Sequence, residues 1–233
     1  MIALITSTII PKAFSFFSID DRYLQTINTI NNLKDVGFHE IYLVDNSISK
    51  IDEEKLRSGS FNGIKVIQSP QYTFENKGIN EAMLILNNLH NLPDNQPIFK
   101  ISGRYSPTNQ FSVSKILEDL GSKEILGLGY IGTGKKVHFN TRAYLVDNKR
   151  SLEQILVLAV EEMIGFSRGI SGSKGWLKIL KTVFKPQIGS PFQISLENSF
   201  ARILKTRKRY KLVSKINIEG YIAGSKTLLH ISE

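Results

Sequence analysis

Ile41-Tyr42-Leu43-Val44-Asp45-Asn46-Ser47 (IYLVDNS, residues 41–47) is the segment most informative about the fold. An unbroken apolar run that closes on an aspartate is typical of a strand buried on both faces of a parallel sheet. Similar short runs stand on both sides of it, namely IALITS (2–7), IKVIQ (64–68) and IFKIS (98–102). The sequence therefore predicts several parallel strands of one sheet.

Amphipathic helices are predicted between these strands. Apolar residues recur at helical spacing from Asp20 to Gly37, with Asp20 or Asp21 as the cap, and again over 76–90 and 111–120. Strands that alternate with helices are the signature of an α/β fold with a mostly parallel sheet.

The second half of the chain has a different pattern. LGLGYIG and KKVHFNTRAYLV flank the turn 132–134, which predicts an antiparallel hairpin, and a long helix follows over 151–166. We expect a single domain over 1–233, with a mixed, mostly parallel sheet flanked by helices over 1–147 and a helical, basic portion over 148–233.

The composition limits the class of protein and its partners. The hydrophobic share of 41% fits a globular protein with a sizeable core, and no apolar run is long enough to span a membrane. The net charge of +9 suits nucleic acid, an acidic membrane surface or a phosphorylated small molecule. Cysteine is absent, which excludes disulfides, and no signal peptide is recognisable, so we expect a cytoplasmic protein.

Polar residues cluster where the predicted parallel strands end. In open α/β sheets, ligands bind outside these carboxyl ends, and the first turn of a following helix offers free backbone N–H groups. Taken singly, each residue also has a structural explanation: an aspartate closes a turn, a lysine extends from an edge strand, an arginine pairs with a carboxylate. The candidate ligand-binding residues are Thr6, Ser7, Asp45, Asn46, Lys77, Gly78, Lys100, Ser102, Gly103, Arg104, Tyr105 and Arg142.

The order of three motifs resembles the nucleotide-sugar glycosyltransferases of the GT-A fold. In that family a strand ending in VDNS or VDDGS holds the nucleotide, an N-x-G helix start follows, and a later strand ends in a metal-binding D-x-D. Here IYLVDNS, NKGINEA and IFKISGRY stand in those places, over roughly residues 1–147. The resemblance implies that Asp45 contacts the base or ribose of an activated sugar donor. It also implies transfer to a glycan or polyprenyl-diphosphate-linked acceptor in bacterial surface polysaccharide assembly.

The chain departs from this family because it contains no D-x-D. Lys100 and Arg104 lie on the equivalent strand, and both side chains are suited to phosphate, arginine through bidentate contact and lysine as a point charge. We therefore expect these cations to replace the metal, so that no cofactor is required, although magnesium is not excluded. A CMP-activated sugar is favoured, and a phosphoribosyl diphosphate donor stays open.

Two carboxylates are the candidates for the catalytic base that removes a proton from the acceptor hydroxyl, namely Glu162 and Glu197. Carboxylates on amphipathic helices are more often solvated than catalytic. His138 lies alone in a predicted strand, where a structural role is the more common one. No histidine spacing indicates a zinc site.

Basic clusters distinguish the C-terminal portion. Lysines recur every three to four residues beside apolar ones over 174–185, which is typical either of an interfacial helix on an anionic membrane or of a solvated surface helix. A second cluster, 206–210, is also basic. A peripheral position at the inner face of the cell membrane is one interpretation. A nucleic-acid-binding protein and a sugar nucleotidyltransferase remain as alternatives, although no recognisable RNA motif favours nucleic acid.

Overall fold

The computed structural model describes residues 1–12, 15–57, 63–72, 74, 76–168, 177, 194–207, 209–221 and 228–231. The strands are β1 Ile2–Ser7, β2 Ile41–Asp45, β3 Ile64–Gln68, β4 Ile98–Ser102, β5 Tyr105–Pro107, β6 Ile125–Ile131, β7 Val137–Val146, β8 Tyr210–Val213, β9 Ile218–Tyr221 and β10 Leu228–Ile231. The helices are α1 Ile19–Asp35, α2 Glu53–Leu56, α3 Lys77–Asn88, α4 Val113–Leu120, α5 Lys149–Arg168 and α6 Leu196–Thr206.

A seven-stranded sheet has the order β3-β2-β1-β4-β7-β6-β8. The pairs β1–β2, β2–β3, β1–β4 and β6–β8 are parallel, whereas β7 runs antiparallel to both β4 and β6. The predicted mixed, mostly parallel sheet is therefore confirmed. It places the carboxyl ends of β1, β2, β3 and β4 along one edge.

Apolar layers cover both faces of this sheet, which explains the unbroken run IYLV. Leu43 packs in the layer that contains α1 and α4, whereas its neighbour Val44 packs in the layer that contains α3, α5 and α6. Successive side chains of a strand point to opposite faces, so a strand covered on both sides must be apolar throughout.

Side-chain caps set the helix starts. Ser18 caps α1 and forms a capping box with Asp21, so the prediction of Asp20 or Asp21 as the cap was wrong by two or three residues. Asn76 caps α3 as its position before the apolar repeat predicts.

The described C-terminal part contains the two helices α5 and α6 and, in addition, strands that the sequence did not predict. β8 joins the edge of the main sheet, and β9 and β10 form a second sheet with β5. β9 pairs with β5 through Tyr105 and Gly220. A Cβ atom at Gly220 would stand 2.3 Å from the carbonyl oxygen of Arg104, so only glycine permits this close crossing.

The predicted basic surfaces are only partly described. The proposed interfacial helix over 174–185 lies outside the described residues, apart from the exposed Leu177. In the second cluster, Arg207 and Arg209 both pair with Glu124, at 3.4 Å and 3.1 Å. None of the described helices is both long and apolar enough to cross a membrane.

Candidate active site

The registers of β1, β2 and β4 bring the predicted strand-end residues together. Ser7 lies opposite Asp45, and Thr6 lies opposite Ser102. Ala143 of β7 lies opposite Ile101, which sets Arg142 beside the end of β4. Parallel strands that start in register end together, so convergence follows from the topology.

Asp45 is buried, and its carboxylate is fully engaged by the protein. One oxygen accepts hydrogen bonds from the Ser7 hydroxyl and from the Ile9 N–H at 3.0 Å, and the other accepts from the Ser47 N–H at 2.8 Å. These bonds join the turn after β1 to the turn after β2. In this structure Asp45 organises the edge of the sheet, and direct contact with a donor base would require that turn to open.

Lys100 does not reach the crevice, which corrects its predicted role as a phosphate ligand. Its side chain is 1% exposed, pairs with the Glu81 carboxylate and donates to the Thr141 carbonyl at 2.8 Å. The reason is the position of β4, which is a central strand between β1 and β7, with Lys100 on the face that α3 covers. An ammonium buried there needs a carboxylate partner, and α3 supplies it.

Arg104 and Arg142 remain as the cations of the crevice. Within the described part of the chain, neither guanidinium forms an ion pair or a hydrogen bond, and each side chain is partly exposed. The Cζ atom of Arg142 lies 5.5 Å from the ring centroid of Tyr105. Burial raises the pKa of Tyr105, whereas Arg142 and Arg104 lower it, so both cations lie within electrostatic range of that hydroxyl.

Arg22 is a third guanidinium at this edge, and the sequence prediction missed it. It donates to the Thr8 carbonyl at 2.5 Å and from Nε to the Ser15 hydroxyl at 2.9 Å. Burial lowers the pKa of Arg22, the neighbouring Arg104 lowers it further, and Asp45 raises it. Its place in the first turn of the helix after β1 was the available signal, because such turns face the carboxyl edge of the sheet.

The start of α3 is closed by packing. The N–H groups of Gly78 and Ile79 point to the Asn76 side-chain oxygen, at 2.9 Å and 3.4 Å, so the prediction that they are free to bind phosphate was wrong. A Cβ atom at Gly78 would stand 2.9 Å from two atoms of Leu196. Gly78 therefore allows α3 to approach the start of α6, while Lys77 beside it stays exposed.

A cleft of about 360 Å³ opens beside Arg142, between the amino-terminal half of β7 and the start of α6. Glu197 lines it, and its carboxylate accepts a hydrogen bond from the Thr141 hydroxyl at 2.9 Å. Arg142 lines the same cleft, so two of the predicted residues meet here. Glu162, the other predicted base, instead accepts a hydrogen bond from Arg202 at 2.8 Å across the α5–α6 contact.

Other predicted residues form hydrogen bonds within the edge of the sheet. Gly103 donates its N–H to the Thr6 carbonyl at 2.9 Å, which turns the chain over the end of β1 towards Arg104. The Asn46 side-chain oxygen accepts from the Thr8 hydroxyl.

Among the described residues, no group of three or more histidine, aspartate or glutamate side chains comes together as a metal site would require.

Solved structures share this fold. The galactosyltransferase LgtC is 11% identical, with a TM-score of 0.54 over 95% of this chain and 87% of LgtC in an active-site mutant. A complex of LgtC with donor and acceptor sugar analogues gives a TM-score of 0.51 at 11% identity, over 92% of this chain and 73% of LgtC. HddC from Yersinia pseudotuberculosis, complexed with GMP-PN, is 12% identical, with a TM-score of 0.52 over 99% of this chain and 93% of HddC.

No family model matches the sequence, and no curated protein matches it significantly. The chain has the GT-A-like fold that the resemblance predicted. At these identities the likeness concerns the fold.

Proposed function

We propose that this GT-A-like chain is a glycosyltransferase, and that Arg104 and Arg142 hold the phosphate of its activated sugar donor. The observation that carries the proposal is the pair of guanidiniums, which stand without an anionic partner in the described part of the chain and lie within electrostatic range of Tyr105. They lie at the carboxyl edge of the sheet, where open α/β sheets bind ligands. A phosphate supplies the bidentate, charge-assisted partner that a guanidinium favours.

The proposed reaction uses the cleft that Arg142 and Glu197 line. The acceptor hydroxyl oxygen forms a bond to the anomeric carbon of the donor sugar, and the bond from that carbon to the donor phosphate breaks. Glu197 takes the hydroxyl proton, and the negative charge left on the phosphate lies against Arg104 and Arg142. The hydrogen bond from Thr141 holds the Glu197 carboxylate in one orientation.

A metal ion is not required in this proposal. The strand that carries D-x-D in the GT-A family corresponds to the one followed by Gly103-Arg104 here, so in this proposal the Arg104 guanidinium takes the place of the divalent ion. Fixed guanidiniums neutralise developing phosphate charge as electrostatic catalysts. The acceptor would be a glycan or a lipid-linked glycan, and the charge of +9 favours contact with an anionic membrane.

The experiment that tests the donor class is a thermal-shift screen with UDP, GDP, CMP, their sugar conjugates and phosphoribosyl diphosphate. Each compound is measured with magnesium and with EDTA. A ligand at a hundred times its dissociation constant adds about 2.7 kcal/mol, which raises the melting temperature by about 5 °C or more. We expect one nucleotide class to do so equally in both conditions. A shift that appears only with magnesium would contradict the arginine-based site, and no shift with any compound would reject the proposed function.

Glu197→Gln is expected to lower kcat about a hundredfold while donor affinity stays unchanged, because the amide fills the same space but accepts no proton. The measurement is a steady-state assay of kcat and of the donor KM. Glu162→Gln is the comparison, since both carboxylates were candidates. A large decrease of kcat in the Glu162 variant, together with an unchanged kcat in the Glu197 variant, would identify Glu162 as the base.

Nucleotidyl transfer is a second candidate, favoured by the likeness to HddC, which was solved with GMP-PN. The same arginines would hold a nucleoside triphosphate. Incubation with a triphosphate and a sugar 1-phosphate separates the two functions: pyrophosphate release indicates nucleotidyl transfer, whereas a glycosyltransferase leaves both compounds intact.

A further inference from the structure

We propose that the stacked rings of Tyr130 and His138 form an acceptor platform, and that the acceptor is a saccharide whose ring lies against Tyr130; this inference rests on the proposed function. The platform belongs to the β6–β7 hairpin, which extends beyond the carboxyl edge of the sheet. Neither residue is used by the donor site.

The geometry of the two rings is that of a fixed surface. Tyr130 and His138 lie directly opposite each other in the β6–β7 register. Their ring centroids are 4.4 Å apart and their planes differ by 15°. Tyr130 is nevertheless 60% exposed. Gly132 has no side chain to cover the edge of the imidazole. A Cβ atom at this position would stand 3.4 Å from His138 Nε2.

An exposed tyrosine held flat in this way suits a sugar ring. The face of an aromatic ring carries the negative part of its quadrupole. The C–H groups on one face of a pyranose carry partial positive charge and cover an apolar area of similar size. Because His138 already fixes the ring, little side-chain entropy is lost when a ligand stacks on it.

The platform continues into the cleft that holds Glu197. His138 lines that cleft together with Asn140, Ser195 and Asn198. Amide and hydroxyl side chains both donate and accept hydrogen bonds, as sugar hydroxyl groups do. The volume of about 360 Å³ lies within the usual range for small-ligand sites. His138 is thus shared between the stacked pair and the cleft that holds the proposed base.

The competing explanation is an apolar hairpin tip that contacts a membrane or another protein. Ile131, the next residue, is 61% exposed and would take part in such a contact. Successive strand side chains point to opposite faces, so Ile131 lies on the other side of the hairpin from Tyr130. The two residues therefore form a matched pair with equal exposure and different expected roles.

The experiment is saturation-transfer NMR on the full chain with a panel of methyl glycosides and disaccharides, compared among the parent, Tyr130→Ala, Tyr130→Phe and Ile131→Ser. We expect saturation transfer to at least one saccharide in the parent, retained in Tyr130→Phe and Ile131→Ser, and binding about tenfold weaker in Tyr130→Ala. Far-UV circular dichroism and the melting temperature establish that each variant folds.

Three results would contradict the proposed platform. No saccharide in the panel binds the parent, Tyr130→Ala binds the saccharide as tightly as the parent does, or Ile131→Ser loses as much saccharide affinity as Tyr130→Ala. Nucleotide affinity, measured on the same variants by thermal shift, separates this inference from the proposed function. Saccharide binding without nucleotide binding would reject the glycosyltransferase proposal and leave the saccharide platform. Nucleotide binding that weakens in Tyr130→Ala would assign the ring to the donor base and reject the platform.

Discussion

Arg104→Ala is expected to reduce sugar transfer about a thousandfold, because in the proposed reaction it removes a cation from beside the phosphate that leaves. The loss should appear in kcat, with a smaller increase in KM, since charge on that phosphate grows towards the transition state. Folding should be unaffected, because the guanidinium has no ion pair or hydrogen bond in the described part of the chain. Initial rates at saturating donor measure the effect.

Arg150→Ala is the matched control. Arg150 is exposed in the first turn of α5, directly after β7. The end of β7 pairs with the start of β4, so Arg150 lies at the opposite edge of the sheet from Arg104. Its variant should retain full activity. Arg104→Lys should recover part of the rate, since an ammonium restores the charge without the bidentate geometry. Normal turnover in Arg104→Ala would eliminate the phosphate-binding role.

Lys100→Met is expected to lower the free energy of unfolding by about 3 kcal/mol, a large share of the stability of a typical domain. The substitution leaves the Glu81 carboxylate, which is 27% exposed, without its partner and deprives the Thr141 carbonyl of a donor. Breaking a buried ion pair typically costs about 3–5 kcal/mol. We expect a value at the lower end of this range because Glu81 is partly exposed to water. Denaturant midpoints at constant m-value provide the measurement.

Lys149→Met breaks a more exposed pair, with Asp94, and should cost less than about 1 kcal/mol. The double variant Lys100→Met/Glu81→Met should recover most of the stability, since two apolar side chains often replace a buried ion pair without loss. If Lys100→Met were no worse than Lys149→Met, the buried pair would not hold α3 against the sheet.

The fold could be predicted from local patterns because its central strands are covered on both faces. The runs IALITS, IYLVD, IKVIQ and IFKIS are apolar for that reason, and all four are strands. The hairpin after them has its turn at 133–135, with Gly134 at a φ of +68°, a conformation that glycine readily adopts. The short strands β5, β8 and β9 carry no comparable signal, because each is only three or four residues long and none is buried throughout.

The candidate site was predictable only as a set of strand ends. Which side chains face solvent depends on the elements that cover each face of the sheet. The prediction for Lys100 was wrong because it did not account for α3 on its face. A lysine in an apolar run looks like a cation at an edge, but α3 brings Glu81 to it from a point 19 positions earlier in the chain. Arg22 was missed because the sequence prediction considered the strand ends and the start of the helix after β3, and not the first turn of the helix after β1.

The crossing of β9 over β5 has a consequence for the order of events during synthesis. Tyr105 pairs with Gly220, a separation of 220 − 105 = 115 residues, so the support beneath Arg104 comes from a part of the chain made much later. The pairs β1–β2, β2–β3 and β1–β4 need only residues up to Ser102. A nascent chain on the ribosome can therefore assemble the first four strands of its sheet early, yet the backbone at Arg104 gains its support only after residue 220 emerges, so the proposed phosphate site is completed late in translation.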